Sequence, residues 1–142
     1  MSNVLVVYYT STGNTEMLAE SLTEGLKEGG AEVTYKSVYD TTPEEINEFE
    51  KIAFGCSASG DEELDETEFE PYFEEALTHL SGKKVALFGC YGWGGGEFMR
   101  KWEVRVKDGG AELFEEGFIN LETPGDEELE NVKEFGARFA SA

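Results

Sequence analysis

A run of six consecutive apolar and aromatic residues, 4–9, leads directly into a short polar loop and then into a helical pattern. The run reads Val-Leu-Val-Val-Tyr-Tyr, which is typical of a strand that is buried on both faces. The loop reads Thr10-Ser11-Thr12-Gly13-Asn14-Thr15 and places four hydroxyl groups around one glycine and one amide. A buried strand that turns through such a loop into a helix favours a fold of the α/β type.

This loop has the composition of a phosphate-binding turn. Its hydroxyls, its backbone N–H groups and the positive end of the following helix dipole suit an anion, whereas the first Lys or Arg is Lys27, well beyond the loop. The loop lacks both the G-x-x-x-x-G-K-[ST] pattern of nucleoside triphosphate sites and the G-x-G-x-x-G pattern of dinucleotide sites. Many neutral donors therefore favour a terminal phosphate monoester. The alternative is a polar turn in which Asn14 or Thr15 only caps the helix.

Apolar runs alternate with helical patterns along all 142 residues. The patterns predict strands at 4–9, 32–38, 51–56, 84–89 and 118–121, with a short extended piece near 113–114. They predict helices at 15–28, 43–48, 69–80, 98–107 and 127–140, the second of which begins with the capping-box sequence Thr42-Pro43-Glu44-Glu45. Five βα units predict one domain, residues 1–142, with an α/β fold whose parallel sheet is covered by helices on both faces.

Three loops are expected at the edge of this sheet where ligands bind. Right-handed crossovers place every strand-to-helix loop at the same edge, so residues 57–63 and 91–96 join the phosphate loop there. The last of these loops carries Trp93 among four glycines. A tryptophan in that position either fills the core or stacks on a ligand, and its glycine neighbours favour the ligand. The sequence thus predicts a ligand with a phosphate at one end and a flat ring at the other.

The charge of the chain limits its partners. Eleven basic and 31 acidic residues give a formal net charge of −20, which disfavours nucleic acid and anionic membranes and favours basic protein partners. Neither a secretory signal nor a membrane-length apolar stretch is evident, so we expect a cytoplasmic protein. Cys56 and Cys90 are expected to be reduced, and no metal site is expected because His79, the one histidine, has no Cys or His neighbours.

Four segments together resemble short-chain flavodoxins of anaerobic bacteria, and the resemblance covers nearly the whole chain. The segments are the phosphate loop, Gly-Cys-Ser-Ala-Ser-Gly-Asp-Glu at 55–62, Phe-Glu-Pro at 69–71, and Gly-Lys-Lys-Val-Ala-Leu-Phe-Gly at 82–89, which leads into Tyr-Gly-Trp-Gly at 91–94. The resemblance implies a three-layer flavodoxin-like fold whose five-stranded parallel sheet has the order 2-1-3-4-5.

It also implies a function. Flavodoxins bind FMN noncovalently and shuttle electrons one at a time between redox enzymes, using the semiquinone/hydroquinone couple at low potential. We therefore expect a monomeric electron carrier rather than an enzyme. Its expected partners are redox proteins with basic patches, namely flavodoxin or ferredoxin reductases, 2-oxoacid oxidoreductases and hydrogenase-type enzymes.

Carried over by position, the resemblance implies an FMN site formed by the three loops. Residues 10–15 would hold the phosphate, Ser57 and Ala58 would contact the ribityl chain and the ring, Glu62 would hydrogen-bond the pyrimidine edge, and Trp93 would cover the outer face of the ring. The full set of expected cofactor-binding residues is Thr10, Ser11, Thr12, Gly13, Asn14, Thr15, Ser57, Ala58, Ser59, Gly60, Asp61, Glu62, Cys90, Tyr91, Gly92, Trp93 and Gly94.

Two positions depart from the related pattern. Ser59 stands where similar flavodoxins often carry an apolar residue, commonly methionine, against the inner face of the ring. Gly95 stands where an acid is common. The first change reduces packing on the ring, and the second slightly offsets the negative field around it.

Three other functions remain as alternatives. An FMN-dependent NAD(P)H:quinone reductase shares this fold, but no segment marks a nicotinamide pocket. A signalling receiver domain needs clustered acids after the first strand and a phospho-accepting aspartate after the third, where this chain has Tyr8-Tyr9-Thr10 and Gly55-Cys56-Ser57. A binding protein without flavin has no positive support in the sequence.

The resemblance predicts that the Gly60–Asp61 peptide is a redox switch. In the family its carbonyl turns towards flavin N5 when the ring gains one electron and a proton, and the turn passes through positive φ, which a residue with a Cβ resists by about 1–2 kcal/mol. Because ~1 kcal/mol corresponds to roughly 40 mV for one electron, Gly60→Val should lower the oxidised/semiquinone potential by about tens of millivolts. An unchanged potential in spectroelectrochemical titration would exclude the switch.

Overall fold

Parallel strands form the centre of the computed structural model, which describes residues 3–10, 13–59, 63–64, 68–91 and 96–142. The strands are β1 (Asn3–Tyr9), β2 (Glu32–Ser37), β3 (Lys51–Cys56), β4 (Ala58–Ser59), β5 (Glu63–Leu64), β6 (Lys84–Tyr91), β7 (Glu112–Leu113) and β8 (Phe118–Leu121). The α-helices are α1 (Asn14–Glu28), α2 (Phe69–Ala76), α3 (Glu97–Asp108) and α4 (Asp126–Ala140). Short 3₁₀ helices occupy Val38–Asp40, Pro43–Glu48 and Leu77–His79.

The main sheet has the predicted parallel topology. Its order is β2-β1-β3-β6, and β7 and β8 share the fifth position because both pair with β6. β7 pairs with the beginning of β6 and β8 with its end, so the fifth strand is interrupted at residues 114–117. The predicted α/β class and the order 2-1-3-4-5 are confirmed, and β4 and β5 add a small antiparallel pair in a segment predicted as loop.

Two hydrophobic clusters cover the two faces of the sheet. One cluster joins alternate residues of β1, such as Leu5 and Val7, to α2 and α3, and the other joins Val4 and Val6 to α1 and α4. The strands β1, β3 and β6 contribute to both clusters because successive side chains point to opposite faces. The predicted apolar stripe on α4 faces the second cluster through Leu129, Val132, Phe135 and Phe139.

Several local predictions change in the structure. The segment 43–48 forms a 3₁₀ helix, and the predicted capping box is wrong, because the side chain of Thr42 makes no capping hydrogen bond. The carboxylate of Glu45 instead accepts hydrogen bonds from Lys36 and the hydroxyl of Thr41, and these contacts lower the Glu45 pKa. The predicted helix at 69–80 is α-helical only to Ala76.

Both cysteines are free and buried, as expected. Cys56 belongs to the cluster beneath α2 and α3, whereas Cys90 belongs to the cluster beneath α1 and α4. The thiols therefore lie on opposite faces of the sheet, and a disulfide between them is excluded by the topology.

A buried lysine lies at the amino edge of the sheet, opposite the edge where the strand-to-helix loops are. Lys51, at the start of β3, is only 6% exposed, and its ammonium donates hydrogen bonds to the carbonyls of Phe139 and Ala140 at the end of α4. Burial lowers the pKa of Lys51. These bonds satisfy carbonyls that a helix terminus leaves without intrahelical partners.

Helices α1 and α4 pack closely because glycines lie at their contact. A Cβ added at Gly25 would lie 1.8 Å from the carbonyl oxygen of Lys133, and one added at Gly136 would lie 2.4 Å from that of Leu22. The backbones of α1 and α4 therefore approach more closely than any other residue type at positions 25 and 136 would allow. This close packing fixes α1 against the sheet.

Gly25→Ala should destabilise the protein. Overpacking typically costs about 1–3 kcal/mol, whereas the same change at an exposed helical site gains about 1 kcal/mol from helix propensity. Urea denaturation of the apoprotein, followed by far-UV circular dichroism, measures the free energy of unfolding. Glu24→Ala, at the exposed neighbouring position, is the control and should stay within about 0.5 kcal/mol of the wild type. An increase in stability for Gly25→Ala would contradict the packing.

Candidate functional site at the carboxyl edge of the sheet

The three loops singled out in the sequence leave the sheet at the same edge. β1, β3 and β6 are parallel neighbours in register, and they end at Tyr9, Cys56 and Tyr91. The structure thus brings together the described members of the predicted site, which are Thr10, Gly13, Asn14, Thr15, Ser57, Cys90, Tyr91 and the backbone of Ala58 and Ser59. The other predicted members, Ser11, Thr12, Gly60, Asp61, Glu62, Gly92, Trp93 and Gly94, lie outside the described residues.

Gly13 makes the turn from β1 into α1. Its φ of +93° is in the left-handed region, where a Cβ is strained, although no atom lies within 4 Å of that position. Its N–H donates a 2.8 Å hydrogen bond to the Thr10 hydroxyl oxygen, and its carbonyl accepts the first helical bond from the Met17 N–H. Gly13 is therefore the N-cap of α1, a role that the alternative reading had given to Asn14 or Thr15.

The amino end of α1 presents donors without a cationic side chain. The helical bonds begin with the N–H of Met17, so the amides of Asn14, Thr15 and Glu16 precede the hydrogen-bonding ladder at the positive end of the helix dipole. Glu16 is the acidic residue of this first turn. Its carboxylate accepts a 3.0 Å hydrogen bond from the Tyr8 hydroxyl. Burial is the main reason why the pKa of Tyr8 is raised, and Glu16 adds to it.

A buried hydrogen bond joins the first loop to the second. The hydroxyl oxygens of Thr15 and Ser57 are 2.8 Å apart, and both residues are buried. Thr15 and Asn120 also lie near the Cys90 thiol, close to the end of β6. Burial raises the pKa of the Cys90 thiol, and the side chains of Thr15 and Asn120 partly offset that effect. A cluster of buried polar side chains therefore lies beneath the site, and the hydrogen bond between Thr15 and Ser57 links α1 to the loop after β3.

Close contact between β3 and β6 brings Ser57 and Cys90 near Thr15. A Cβ added at Gly55 would lie 2.2 Å from the ring of Phe88, and one added at Gly89 would lie 2.1 Å from the carbonyl oxygen of Cys56. Gly55 lies two residues before Ser57, and Gly89 immediately precedes Cys90 within β6. Larger residues at these positions would separate β3 from β6 just below the site.

Asn120 is the residue that sequence reasoning missed. It is 6% exposed and is the register partner of Cys90 in β8. The sequence did contain a sign of its role, namely an amide within the otherwise apolar strand Phe-Ile-Asn-Leu at 118–121. A buried polar side chain in a strand needs hydrogen-bond partners, so such an amide indicates a polar contact.

The donor set suits a phosphate monoester. The hydroxyls of Thr10 and Thr15 and the first-turn amides of α1 are neutral donors at the positive end of a helix dipole, which is how helix termini hold phosphate.

No group of three or more metal-ligating side chains occurs among the described residues. None of the helices in the described part of the chain has the length and apolar character needed to cross a bilayer. Fold and site together are those of an α/β protein whose topological switch point suits a phosphate-bearing ligand.

Comparisons with known proteins agree with this class. The family model described as Flavodoxin matches residues 6–135. The flavodoxin of Clostridium beijerinckii is 44% identical over 136 residues, which cover 96% of this chain and 98% of that protein. The two-electron reduced flavodoxin of Megasphaera elsdenii has a solution structure that superposes with a TM-score of 0.85 at 38% identity, covering 95% of this chain and 98% of that one. The chain belongs to the flavodoxin family, and its resemblance to the short-chain members is confirmed.

Family membership establishes the general function. Flavodoxins bind FMN and transfer electrons between other proteins rather than acting as enzymes, so this chain is an FMN-dependent electron carrier. The alternative reading as a quinone reductase receives little support. The NAD(P)H dehydrogenase (quinone) of Archaeoglobus fulgidus is 48% identical, but only over 48 residues, which cover 34% of this chain and 25% of that protein.

Proposed function

We propose that the three loops at the carboxyl edge hold FMN with the roles expected from the sequence. Residues 10–15 bind the phosphate, residues 57–62 contact the ribityl chain and the ring, and residues 90–94 complete the ring side. Bound FMN supplies one-electron redox chemistry. The hydrogen bond between Thr15 and Ser57 carries this proposal, because it ties the phosphate loop directly to the second loop in a buried position.

The protein groups at the phosphate end act by hydrogen bonding and through the helix dipole, without a cationic side chain. A bound phosphate satisfies the first-turn amides of α1, which have no helical partner, and the helix dipole favours its negative charge. The carboxylate of Glu16, the acidic residue of this first turn, accepts a hydrogen bond from the Tyr8 hydroxyl of β1. Because the contact set contains no cation, the phosphate is recognised by the number and direction of donors rather than by net charge.

The outer end of the ligand is assigned to residues whose roles come from the family pattern. Trp93 is proposed to cover the outer face of the ring, Glu62 to bond its pyrimidine edge, and the Gly60–Asp61 peptide to respond to reduction. Tyr91, whose side chain packs against the cluster beneath α2 and α3, anchors the start of the segment that contains Trp93.

Redox partners are proposed to approach with basic surfaces. The net charge of −20 supports this, as do the nine acids and the absence of Lys or Arg between Lys51 and Lys83. Flavodoxin or ferredoxin reductases, 2-oxoacid oxidoreductases and hydrogenase-type enzymes are the proposed classes. The same charge disfavours self-association and binding to nucleic acid or anionic membranes, so we propose that residues 1–142 form one monomeric domain that works in the cytoplasm.

Thr15→Val tests the phosphate assignment. The change keeps the side-chain shape but removes the hydroxyl, so the Kd for FMN should rise about tenfold, while the Kd for riboflavin, which lacks the phosphate and is affected only through the lost bond to Ser57, should rise clearly less. Flavin fluorescence quenching by the apoprotein measures both constants.

The matched control is Thr23→Val. Thr23 is also buried in α1, and its hydroxyl has no hydrogen-bond partner, so its removal should leave both constants unchanged. Equal effects of Thr15→Val on FMN and riboflavin would show that Thr15 does not serve the phosphate.

Electron transfer to a basic reductase should slow as salt is added. The Debye length falls from about 30 Å at 0.01 M ionic strength to about 8 Å at 0.15 M, so the second-order rate constant measured by stopped flow should decrease about tenfold or more. A neutral small-molecule oxidant is the control and should react at a nearly constant rate. A protein-partner rate that is constant or rises with salt would contradict the proposed steering.

A further inference from the structure

Asn120 is a buried amide in a strand whose neighbouring side chains face solvent. Ile119 is 36% exposed and Leu121 is 55% exposed, whereas Asn120 is 6% exposed. Its Nδ2 donates hydrogen bonds of 3.3 Å and 3.0 Å to the carbonyl oxygens of Leu121 and Glu122. An apolar side chain would fill the inward position of such a strand without needing partners, whereas the buried amide of Asn120 depends on the hydrogen bonds that it makes.

The turn held by these bonds has a strained residue. Glu122 has a φ of +58° and is the one non-glycine residue with positive φ in the described part of the chain. Its N–H donates a 2.7 Å hydrogen bond to the carbonyl of Tyr91. Such a conformation persists where surrounding bonds enforce it, and the Asn120 amide supplies one of these bonds. The turn at Glu122 therefore fixes the backbone of Tyr91 immediately before residues 92–95.

The other contact of Asn120 leads to the phosphate loop. Asn120 is the register partner of Cys90, Thr15 lies near the same thiol, and the hydroxyls of Thr15 and Ser57 are hydrogen-bonded. Asn120 thus reaches the third loop by hydrogen bonds through Glu122 and Tyr91, and it lies next to the cluster beneath the first two loops through Cys90.

We propose that Asn120 is a positioning residue of the FMN site, which sets the backbone of Tyr91, the first residue of the third loop, by holding the Glu122 turn against it. This inference rests on the proposed site. Asn120 does not touch the ligand in this account. It acts on the loop that carries Trp93, and only secondarily on Thr15.

Asn120→Leu tests the inference because leucine has similar volume and no donor. The Kd values for FMN and for riboflavin should both rise about tenfold, because the affected loop serves the ring that both ligands share. Thr15→Val, in contrast, affects FMN selectively. Thr23→Val is again the control for replacing a buried polar side chain away from the site. If Asn120→Leu gives no folded apoprotein by circular dichroism, Asn120→Ala removes the same donors without adding bulk.

A second substitution separates positioning from general stability. Glycine adopts positive φ without strain, so adding Glu122→Gly to Asn120→Leu should return most of the lost affinity for riboflavin. A purely structural role for Asn120 would lower the urea midpoint of the apoprotein and leave both Kd values within about twofold of the wild type. That result, or the absence of rescue by Glu122→Gly, would overturn the inference. Failure of the wild-type protein to bind FMN would instead overturn the proposed site itself.

Discussion

The parallel alignment of β1, β3 and β6 is the constraint on which the rest of the structure depends. Each strand is buried on both faces, and the glycines at 55 and 89 allow the carboxyl ends of β3 and β6 to approach closely. This approach brings Ser57 and Cys90 within reach of Thr15 in the first turn of α1. Packing of α1 against α4 through Gly25 and Gly136 then holds that turn in place. Core packing and site geometry are therefore parts of one arrangement.

The charge of the protein bears on both the phosphate and the redox chemistry of the bound flavin. The phosphate end is assigned to hydroxyls and helix amides without a cation, so the dianion is neutralised only partly. The protein as a whole carries a charge of −20. A negative surround makes further addition of negative charge to a bound flavin unfavourable, and long-range repulsion of this kind weakens with salt. A low potential for the second electron and the proposed attraction to basic partners would thus have the same physical origin.

Much of the fold was predictable because strand burial and helix periodicity are local patterns. The runs at 4–9 and 51–56 match β1 and β3 closely, and the stripe on α4 faces the core as expected. The capping box at Thr42 failed because Glu45 binds Lys36 and Thr41, and Lys36 lies on a different element. The interruption of the fifth strand was indicated only by the short piece near 113–114, because both halves depend on pairing with β6.

The site was predictable to a similar degree. The loops containing Thr15, Ser57 and Cys90 were assigned to one edge by topology, and the structure places these residues together, with a hydrogen bond between Thr15 and Ser57. That hydrogen bond was not predictable, because it joins residues that are distant in sequence. Asn120 was missed for the same reason, since only the pairing of β8 with β6 places it next to Cys90.

The most direct test of the central claim is an anaerobic reductive titration of the protein reconstituted with FMN. The account predicts two resolved one-electron steps, with an absorbance band at long wavelength that forms after the first equivalent of dithionite and is lost after the second. It also predicts that the second step requires the lower potential. A single two-electron step without the long-wavelength band would contradict a one-electron carrier, and failure to bind FMN would contradict the assignment of the site.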